Sequence, residues 1–287
     1  MRNSGRIAAA ILGGTAAIIL LALFLRASSS RARSSPASLT PHTEVARGEV
    51  AAADTTAPTV DPDALGALKQ MGAYLRTLKA FRLNADVVTE DVRTDGQKVQ
   101  ILRTVELVAR RPDRLFAEIT NDRQRRLFFY DGAHFTLFAP RETFYATVEA
   151  PATIEKLADA LEDKYDIELP LVDLFRWGTD ESDFGAITSA VDLGPSAING
   201  ITCQQYAFRQ EGMDWQLWIQ RGDNPLPCRI VITTLTDEAR PQHTATYTWN
   251  LAPSYDDNTF VFRAPSDAKP IPLATVMAVE ATANHVH

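Results

Sequence analysis

Few side chains of this sequence could perform catalysis, and those few are scattered along the chain. No Gly-x-Ser-x-Gly elbow, phosphate-binding loop, dinucleotide fingerprint or His-Glu-x-x-His pattern occurs. His134 and His243 fall in or beside segments with a strand pattern, without a cysteine or second histidine nearby. Either could be a base or a metal ligand, but a histidine on the surface of a strand is the commoner case. The sequence therefore predicts a protein that is not an enzyme and needs no cofactor.

An acidic segment, Asp180, Glu181 and Asp183, carries oxygen atoms of the kind that hard cations bind. Its spacing is not that of an EF-hand loop, and a solvated linker explains the charges more simply. The terminal histidines, His285 and His287, belong to a stretch that is too short and irregular to argue a metal site. We therefore expect no metal.

The two cysteines of the chain are Cys203 and Cys228. An isolated pair is compatible with one disulfide in an oxidising compartment, and also with two buried thiols. The intervening chain has the pattern of a complete strand, which would place the cysteines two strands apart. Two strand spacings of about 4.8 Å exceed the reach of a disulfide, roughly 7 Å between Cα atoms, unless the middle strand ends early. Both alternatives remain open on the sequence.

Charge divides the chain into two parts. Residues 1–33 carry five arginines and no acid, so the remainder has 24 basic and 36 acidic residues and a formal charge of −12. Nucleic-acid binding usually requires a basic surface, because the phosphate backbone dominates the affinity. We therefore expect no nucleic-acid partner for the folded part of the chain.

The uncharged run Ile7–Leu25 is long enough to cross a membrane. Its 19 residues lie between Arg6 and Arg26, and a helix rising about 1.5 Å per residue nearly matches a hydrocarbon core of about 30 Å. A cleaved signal peptide usually has a shorter apolar stretch of roughly 7–15 residues and a small-residue cleavage site, for which Ala27-Ser28-Ser29 is the best candidate. We expect residues 1–26 to anchor the protein in the bacterial inner membrane, with a cleaved signal peptide as the alternative.

Composition predicts one folded domain, residues 61–267, between two unstructured stretches. Residues 27–60 are rich in Ser, Ala, Thr and Pro and should form a flexible tether, and the tail 268–287 should be disordered. The domain begins with Asp61-Pro62-Asp63, a helix-start signal, and apolar residues at mainly helical spacing predict a helix over roughly 63–79.

Strand patterns dominate the rest of the domain. Alternating apolar segments are separated by turn signals, among them Asp95-Gly96 and Asn199-Gly200, and the last segment is Thr259–Phe262. Roughly eleven strands with short connections predict an antiparallel meander. The fold class is therefore mainly β (α+β), with a large curved antiparallel sheet or incomplete β-barrel, an N-terminal helix and a helical lid.

The predicted lid follows a second helix. That helix places Ile154, Leu157, Ala158, Leu161 and Tyr165 on one face, and the next segment, Leu169–Trp177, is almost wholly apolar. Such a segment must cover other apolar surface. Two interpretations remain open: an ordinary core between sheet and helices, or a lidded cavity on the concave side of the sheet.

Seven residues are the candidates for the lid and walls of that cavity. Trp215 and Trp218 lie three apart and must point to opposite faces of a regular strand, and Trp215 shares its parity with Leu217. The candidates are Leu171, Leu174, Phe175, Trp177, Trp215, Leu217 and Trp249.

Six stretches resemble, in order, a family of predicted bacterial periplasmic proteins of unknown function. That family looks related in fold to the lipoprotein carriers LolA and LolB and to the N-terminal domain of the envelope-stress regulator RseB. The resemblance covers roughly residues 64–265 and implies an incomplete β-barrel with a helical lid on the periplasmic side. No catalytic residue carries over. The stretches are Tyr130-Asp131-Gly132, Phe144-Tyr145-Ala146, Leu169-Pro170-Leu171-Val172-Asp173-Leu174, Asn199-Gly200-Ile201-Thr202-Cys203, Asp214-Trp215-Gln216-Leu217-Trp218-Ile219 and Pro225-Leu226-Pro227-Cys228-Arg229.

Two functions are therefore expected from the sequence and the resemblance. The first is a periplasmic, membrane-tethered carrier or chaperone for an apolar ligand, such as a lipid or a lipoprotein's acyl chain. The alternative is a sensor or regulator of envelope stress that uses the same fold to contact an envelope protein partner, without catalysis. The resemblance is at the level of the fold and does not name the ligand.

Overall fold

The computed structural model describes residues 59–179 and 184–274. The predicted anchor Ile7–Leu25, nearly all of the tether and the acidic residues Asp180, Glu181 and Asp183 lie outside the described residues, as do 275–287 of the predicted tail. Within the described ranges, no helix combines the length and the apolar character that crossing a membrane requires.

In the part of the chain that the structure describes, twelve strands form one open sheet that does not close into a barrel. Their order is β12-β6-β5-β4-β3-β2-β1-β11-β10-β9-β8-β7. All neighbours pair antiparallel except β12, which runs parallel to β6. The predicted class, mainly β with an open curved sheet and an N-terminal helix, is confirmed. The strands are β1 Ala80–Val92, β2 Lys98–Arg110, β3 Arg114–Thr120, β4 Arg125–Tyr130, β5 His134–Ala139, β6 Phe144–Glu149, β7 Ser189–Ile198, β8 Ile201–Gln210, β9 Met213–Gln220, β10 Pro227–Thr234, β11 Gln242–Asn250 and β12 Lys269–Pro270.

Among the described residues, three α-helices accompany the sheet: α1 Pro62–Thr77, α2 Ile154–Tyr165 and α3 Asp173–Arg176. The Asp61 carboxylate accepts a hydrogen bond from the amide of Asp63, which caps α1 as the sequence predicts. Thr153 caps α2 in the same way through the amide of Lys156. α1 buries Leu68, Met71 and Leu75, and α2 buries the predicted apolar face apart from Tyr165, which is partly exposed.

The Asn199-Gly200 turn joins β7 to β8 as predicted. Both residues have positive φ, 50° and 80°, which is the backbone that a two-residue hairpin of matching twist requires and that glycine adopts without strain. The turn sets the register in which Ile198 pairs with Ile201.

The predicted strand Thr259–Phe262 is wrong. Residues Asp257–Phe260 form a short 3₁₀ helix, whose first turn is capped by the Asp256 carboxylate accepting from the amide of Asn258 at 2.7 Å. The strand position beside β11 is already taken by β1 and β10, and Phe260 is completely buried without joining the sheet. An apolar run of four residues does not distinguish a strand from a buried helical turn.

Both edges of the sheet are extended by short segments from outside the predicted strands. Val60 forms a parallel bridge with Ala190 of β7, and Lys269–Pro270 pair with β6, from which Ile271 continues by donating to the carbonyl of Tyr145 at 2.8 Å. These pairings extend past residue 267, the predicted end of the domain. Covering an edge reduces its tendency to pair with another chain.

The two faces of the sheet differ in what they bury. One face, called the inner face here, packs with α1, α2 and α3 in a single core cluster that includes Phe81, Leu107, Phe135 and Leu217. The outer face carries a second, small cluster of Cys203, Trp218, Cys228 and Val231. The inner face is the one that could line a cavity.

Candidate ligand-binding site on the inner face

The segment Leu169–Trp177 lies over the inner face at the start of β1. Leu174 and Phe175 are buried, and the Phe175 ring lies 5.9 Å from that of Phe81, centroid to centroid. The guanidinium carbon of Arg111 lies 5.0 Å from the Phe175 ring centroid. The same guanidinium forms an ion pair with Glu155 of α2. Sheet and helix therefore hold this lid segment from both sides.

Ion pairs hold the lid segment against α2. The guanidinium of Arg176 in α3 lies 3.1 Å from a carboxylate oxygen of Asp159 and 2.8 Å from one of Glu162. Because Arg176 is partly buried, these pairs are less screened by solvent than surface pairs. Sequence reasoning did not identify them, since the partners lie 14 and 17 residues away in the chain.

The seven predicted site residues all belong to the inner face or pack against its core. Leu174, Phe175, Trp215 and Leu217 are buried, and Leu171, Trp177 and Trp249 are partly exposed. The structure thus brings together the lid and the strands that the sequence proposed. Their part in binding a ligand stays a prediction.

Trp215 and Trp218 lie on opposite faces of β9, as their spacing predicts. Trp215 stacks on Phe208 with ring centroids 4.2 Å apart and donates its indole hydrogen to the side-chain oxygen of Gln210 at 3.2 Å. Trp218 belongs to the outer cluster, with the guanidinium carbon of Arg229 at 5.8 Å from its ring centroid. Trp215 is therefore the tryptophan of this pair that can report on the inner face.

Trp249 of β11 lies beside Phe81, the residue that the lid segment also contacts. Its ring lies 5.3 Å from that of Phe81 and 6.5 Å from that of Tyr247. Its indole nitrogen donates to the carbonyl of Pro227 at 2.8 Å. Because this hydrogen bond fixes the indole nitrogen, the ring is held against Phe81 and Tyr247.

Two carboxyl groups of the lid region, those of Glu168 and Asp173, are largely withdrawn from solvent. Burial raises the pKa of Glu168 to about 8, and the nearby Asp173 and Glu162 carboxylates raise it further. Burial also raises the pKa of Asp173 to about 6, although Arg176 opposes that change. Glu168 is consequently protonated and neutral for the most part at pH 7. Sequence reasoning missed both acids, although two acids within a nearly apolar stretch were a visible signal.

A polar cluster lies on the inner face in the middle strands of the sheet. The Thr89 hydroxyl oxygen lies 3.1 Å from Nδ1 of His243 and accepts a longer hydrogen bond, 3.4 Å, from Nη1 of Arg103. Burial lowers the pKa of His243, and the positive charge of Arg103 lowers it further. The ring is therefore neutral at pH 7.

The two histidines differ in environment. His134 is exposed at the start of β5 beside Asp131, as a surface strand residue should be. The interpretation of His243 as another surface residue is wrong, because its side chain is turned to the inner face and pairs across the ladder with Thr89 and Ile232. The strand parity of β11 was the available signal.

The cysteines meet across the end of β9. Cys203 pairs with Gln220, the last residue of β9, and Cys228 lies at an irregularity of β10 between Pro227 and Arg229. The Cα atoms are 7.2 Å apart, and the structure joins the two sulfurs. The middle strand thus ends early enough for the two to approach, which is the condition that the sequence left open.

A family model matches residues 64–274, and its description is that of a predicted periplasmic protein, DUF2092. No curated protein is significantly similar in sequence. The protein LprF of Mycobacterium bovis, known from a crystal structure, shares 14% identity over 75% of this chain and 100% of its own, with a TM-score of 0.41. A LolA-superfamily protein of Nitrosomonas europaea shares 13% over 69% of this chain and 97% of its own, with a TM-score of 0.32.

A third similar structure is the MucA/MucB complex of Pseudomonas aeruginosa, with 15% identity over 73% of this chain and 63% of the matched chain, and a TM-score of 0.41. Similarity at this level names neither a ligand nor a partner. The family match is different in kind, because it spans most of the chain and includes the lid segment and every strand of the sheet. The chain belongs to the DUF2092 family of predicted periplasmic proteins.

Proposed function

We propose that the chain is a periplasmic binding protein for an apolar ligand such as a lipid or an acyl chain, of the carrier or chaperone type. It acts by binding and not by catalysis. The ligand lies against the inner face, beneath the lid segment Leu169–Trp177. In this proposal the run Ile7–Leu25 keeps the protein at the inner membrane.

One observation supports the proposal more than any other. Leu171, Trp177 and Trp249 pack against the inner core cluster at the lid segment and its neighbours, yet all three remain partly exposed. Apolar and aromatic side chains of this kind are the usual lining of sites for small apolar ligands.

Native mass spectrometry of the protein extracted from its own membrane tests this function. We expect a bound lipid of defined mass at one copy per chain. A protein partner at fixed stoichiometry, with no lipid, would support the regulatory alternative instead. A bare polypeptide mass after gentle extraction would count against the carrier.

The same spectra test the anchor. If the anchor is uncleaved, the measured mass is that of a chain that retains residues 1–26. Such a protein should also resist extraction from membranes at alkaline pH. A chain that begins near Ser28 and washes off the membrane would show that the segment is a cleaved signal peptide.

A further inference from the structure

Arg103 is a charged residue in a row of apolar ones. It lies in β2 opposite Val87 of β1, and Val87 and the next inner residue of β2, Val105, belong to the inner core cluster. The strand pattern thus turns the Arg103 side chain to the inner face. Burial lowers the pKa of Arg103, and no other influence on it is resolved.

Within the described residues, Arg103 has no carboxylate partner, unlike most arginines of the sheet. Arg125 pairs with Glu118, Arg126 with Glu142 and Arg209 with Asp214. Among the residues that the structure describes, no carboxylate oxygen lies within 4.0 Å of the Arg103 guanidinium. A partly buried charge without a counter-charge is unfavourable, and this one occurs in a domain with a surplus of acids.

The donors of Arg103 are also largely unused. A guanidinium offers five N–H groups in a planar fork, and within the described part of the chain a single long bond, to the Thr89 hydroxyl, is made. His243 beside it is neutral, so it adds no competing charge and can contribute a neutral hydrogen bond. This combination of a planar cation, a hydroxyl and an imidazole suits a carboxylate or phosphate group.

We propose that Arg103, with Thr89 and His243, binds the anionic head of an amphiphile whose apolar chain lies along the inner face. This inference rests on the proposed function and gives the ligand a chemical class: a fatty acid or a lipid with an anionic head, and not a neutral lipid. The row Thr89, His243, Ile232 and Trp215 is continuous through the register of four strands. An amphiphile held at Arg103 therefore has an apolar wall leading towards Trp215.

Calorimetric titration of delipidated protein with two probes of equal chain length, laurate and dodecanol, tests the inference. Wild-type protein should bind laurate more tightly by roughly 10- to 100-fold, the range expected for a hydrogen bond to a charged group. Equal affinity for the two probes would overturn the anion site while leaving the apolar site in place. If neither probe binds, the proposed function fails together with this inference.

Variants locate the effect. Arg103→Gln should abolish the preference for laurate and leave dodecanol binding unchanged, and Arg103→Lys should retain part of the preference. Arg229→Gln is the matched control, since it removes the same charge from the outer face beside Trp218 and should keep the full preference. A preference that survives Arg103→Gln in folded protein, or that Arg229→Gln removes, would overturn the assignment.

Inorganic phosphate distinguishes a lipid head from a free anion. Because phosphate lacks an apolar chain, it should neither bind measurably at the concentrations at which laurate saturates nor displace laurate. Phosphate binding at those concentrations, lost in Arg103→Gln, would mean that the cluster serves a free anion and would overturn the amphiphile. Thermal unfolding provides a separate readout: Arg103→Gln should melt no lower than wild type, whereas a structural arginine would lower the melting temperature when removed.

Discussion

Gly72 of α1 and Gly178, two residues beyond α3, cross with their backbones in contact. A Cβ atom on Gly72 would lie 2.7 Å from the amide nitrogen of Gly178, and one on Gly178 would lie 2.5 Å from the carbonyl carbon of Gly72. Neither backbone can move away easily, because α1 is packed on the core through Met71 and Leu75. The crossing therefore fixes the end of the lid segment to the N-terminal helix.

Gly72→Ala should destabilise the protein by roughly 1–3 kcal/mol, in the range for overpacking a close contact. Alanine otherwise favours a helix over glycine by up to about 1 kcal/mol, so the loss has the opposite sign to helix propensity. Gly66→Ala in the same helix is the control, since nothing lies within 4 Å of the added Cβ, and it should stabilise. Urea unfolding measures both. Equal changes of stability in Gly72→Ala and Gly66→Ala would show that the backbones of Gly72 and Gly178 are not in tight contact.

Substitutions of Phe175 and Leu171 should distinguish the contribution of the lid segment to stability from its contribution to ligand binding. Phe175 is completely buried against Phe81, so Phe175→Ala should cost about 3–5 kcal/mol of unfolding free energy. Leu171 is partly exposed at the edge of the core, so Leu171→Ala should cost less and weaken the uptake of an apolar probe. Chemical unfolding and probe titration on the same samples measure both effects. Unchanged probe binding in Leu171→Ala would remove this residue from the site.

Glu168 should make the stability of the protein depend on pH. Its pKa is raised from 4.5 to about 8 in the folded state, so the folded state holds a proton that the unfolded state releases between these values. The free energy of unfolding should therefore fall as the pH rises from 4.5 to 8 and level off above. Glu168→Gln removes this contribution.

Urea unfolding of wild type and Glu168→Gln at pH 5, 7 and 9 measures that dependence. The free energy of unfolding of the variant should rise relative to that of the wild type as the pH rises, and most of this change should be complete by pH 9. Glu149→Gln, at an exposed residue of β6, is the control and should follow the wild type. Parallel curves for Glu168→Gln and wild type would show that folding does not raise the pKa of Glu168.

The disulfide between Cys203 and Cys228 is tested by counting thiols. Unreduced, denatured protein should show none. With a sequence separation of 25 residues, the bond should stabilise by roughly 3 kcal/mol on the chain-entropy estimate, and reduction should lower the melting temperature accordingly. Two reactive thiols in protein isolated from the periplasm would mean that the cysteines are only neighbours.

The sequence predicted most of the sheet because its strands obey local rules. Asn199-Gly200 determines a two-residue turn whatever surrounds it, and the capped starts of α1 and α2 are equally local. The prediction of a strand at Thr259–Phe262 was wrong because burial of Phe260 in a helical turn depends on which positions of the sheet other strands already occupy.

The polar groups of the site were harder to predict because their meaning depends on distant partners. Arg103 interrupts the inward row Ile101, Val105 and Leu107 of β2, which was a signal in the parity alone. Only the fold shows that no acid of the described residues pairs with Arg103, since its neighbours Thr89 and His243 come from strands far apart in the chain.

Binding of a neutral apolar fluorophore, N-phenyl-1-naphthylamine, to delipidated protein tests whether the inner face holds an apolar ligand. We expect saturable binding at one site per chain, with energy transfer from tryptophan that falls in Trp215→Phe on the inner face and persists in Trp218→Phe on the outer face. Dodecanol should displace the probe. Binding that does not saturate, or energy transfer that depends on Trp218 and not on Trp215, would show that the inner face does not hold the ligand.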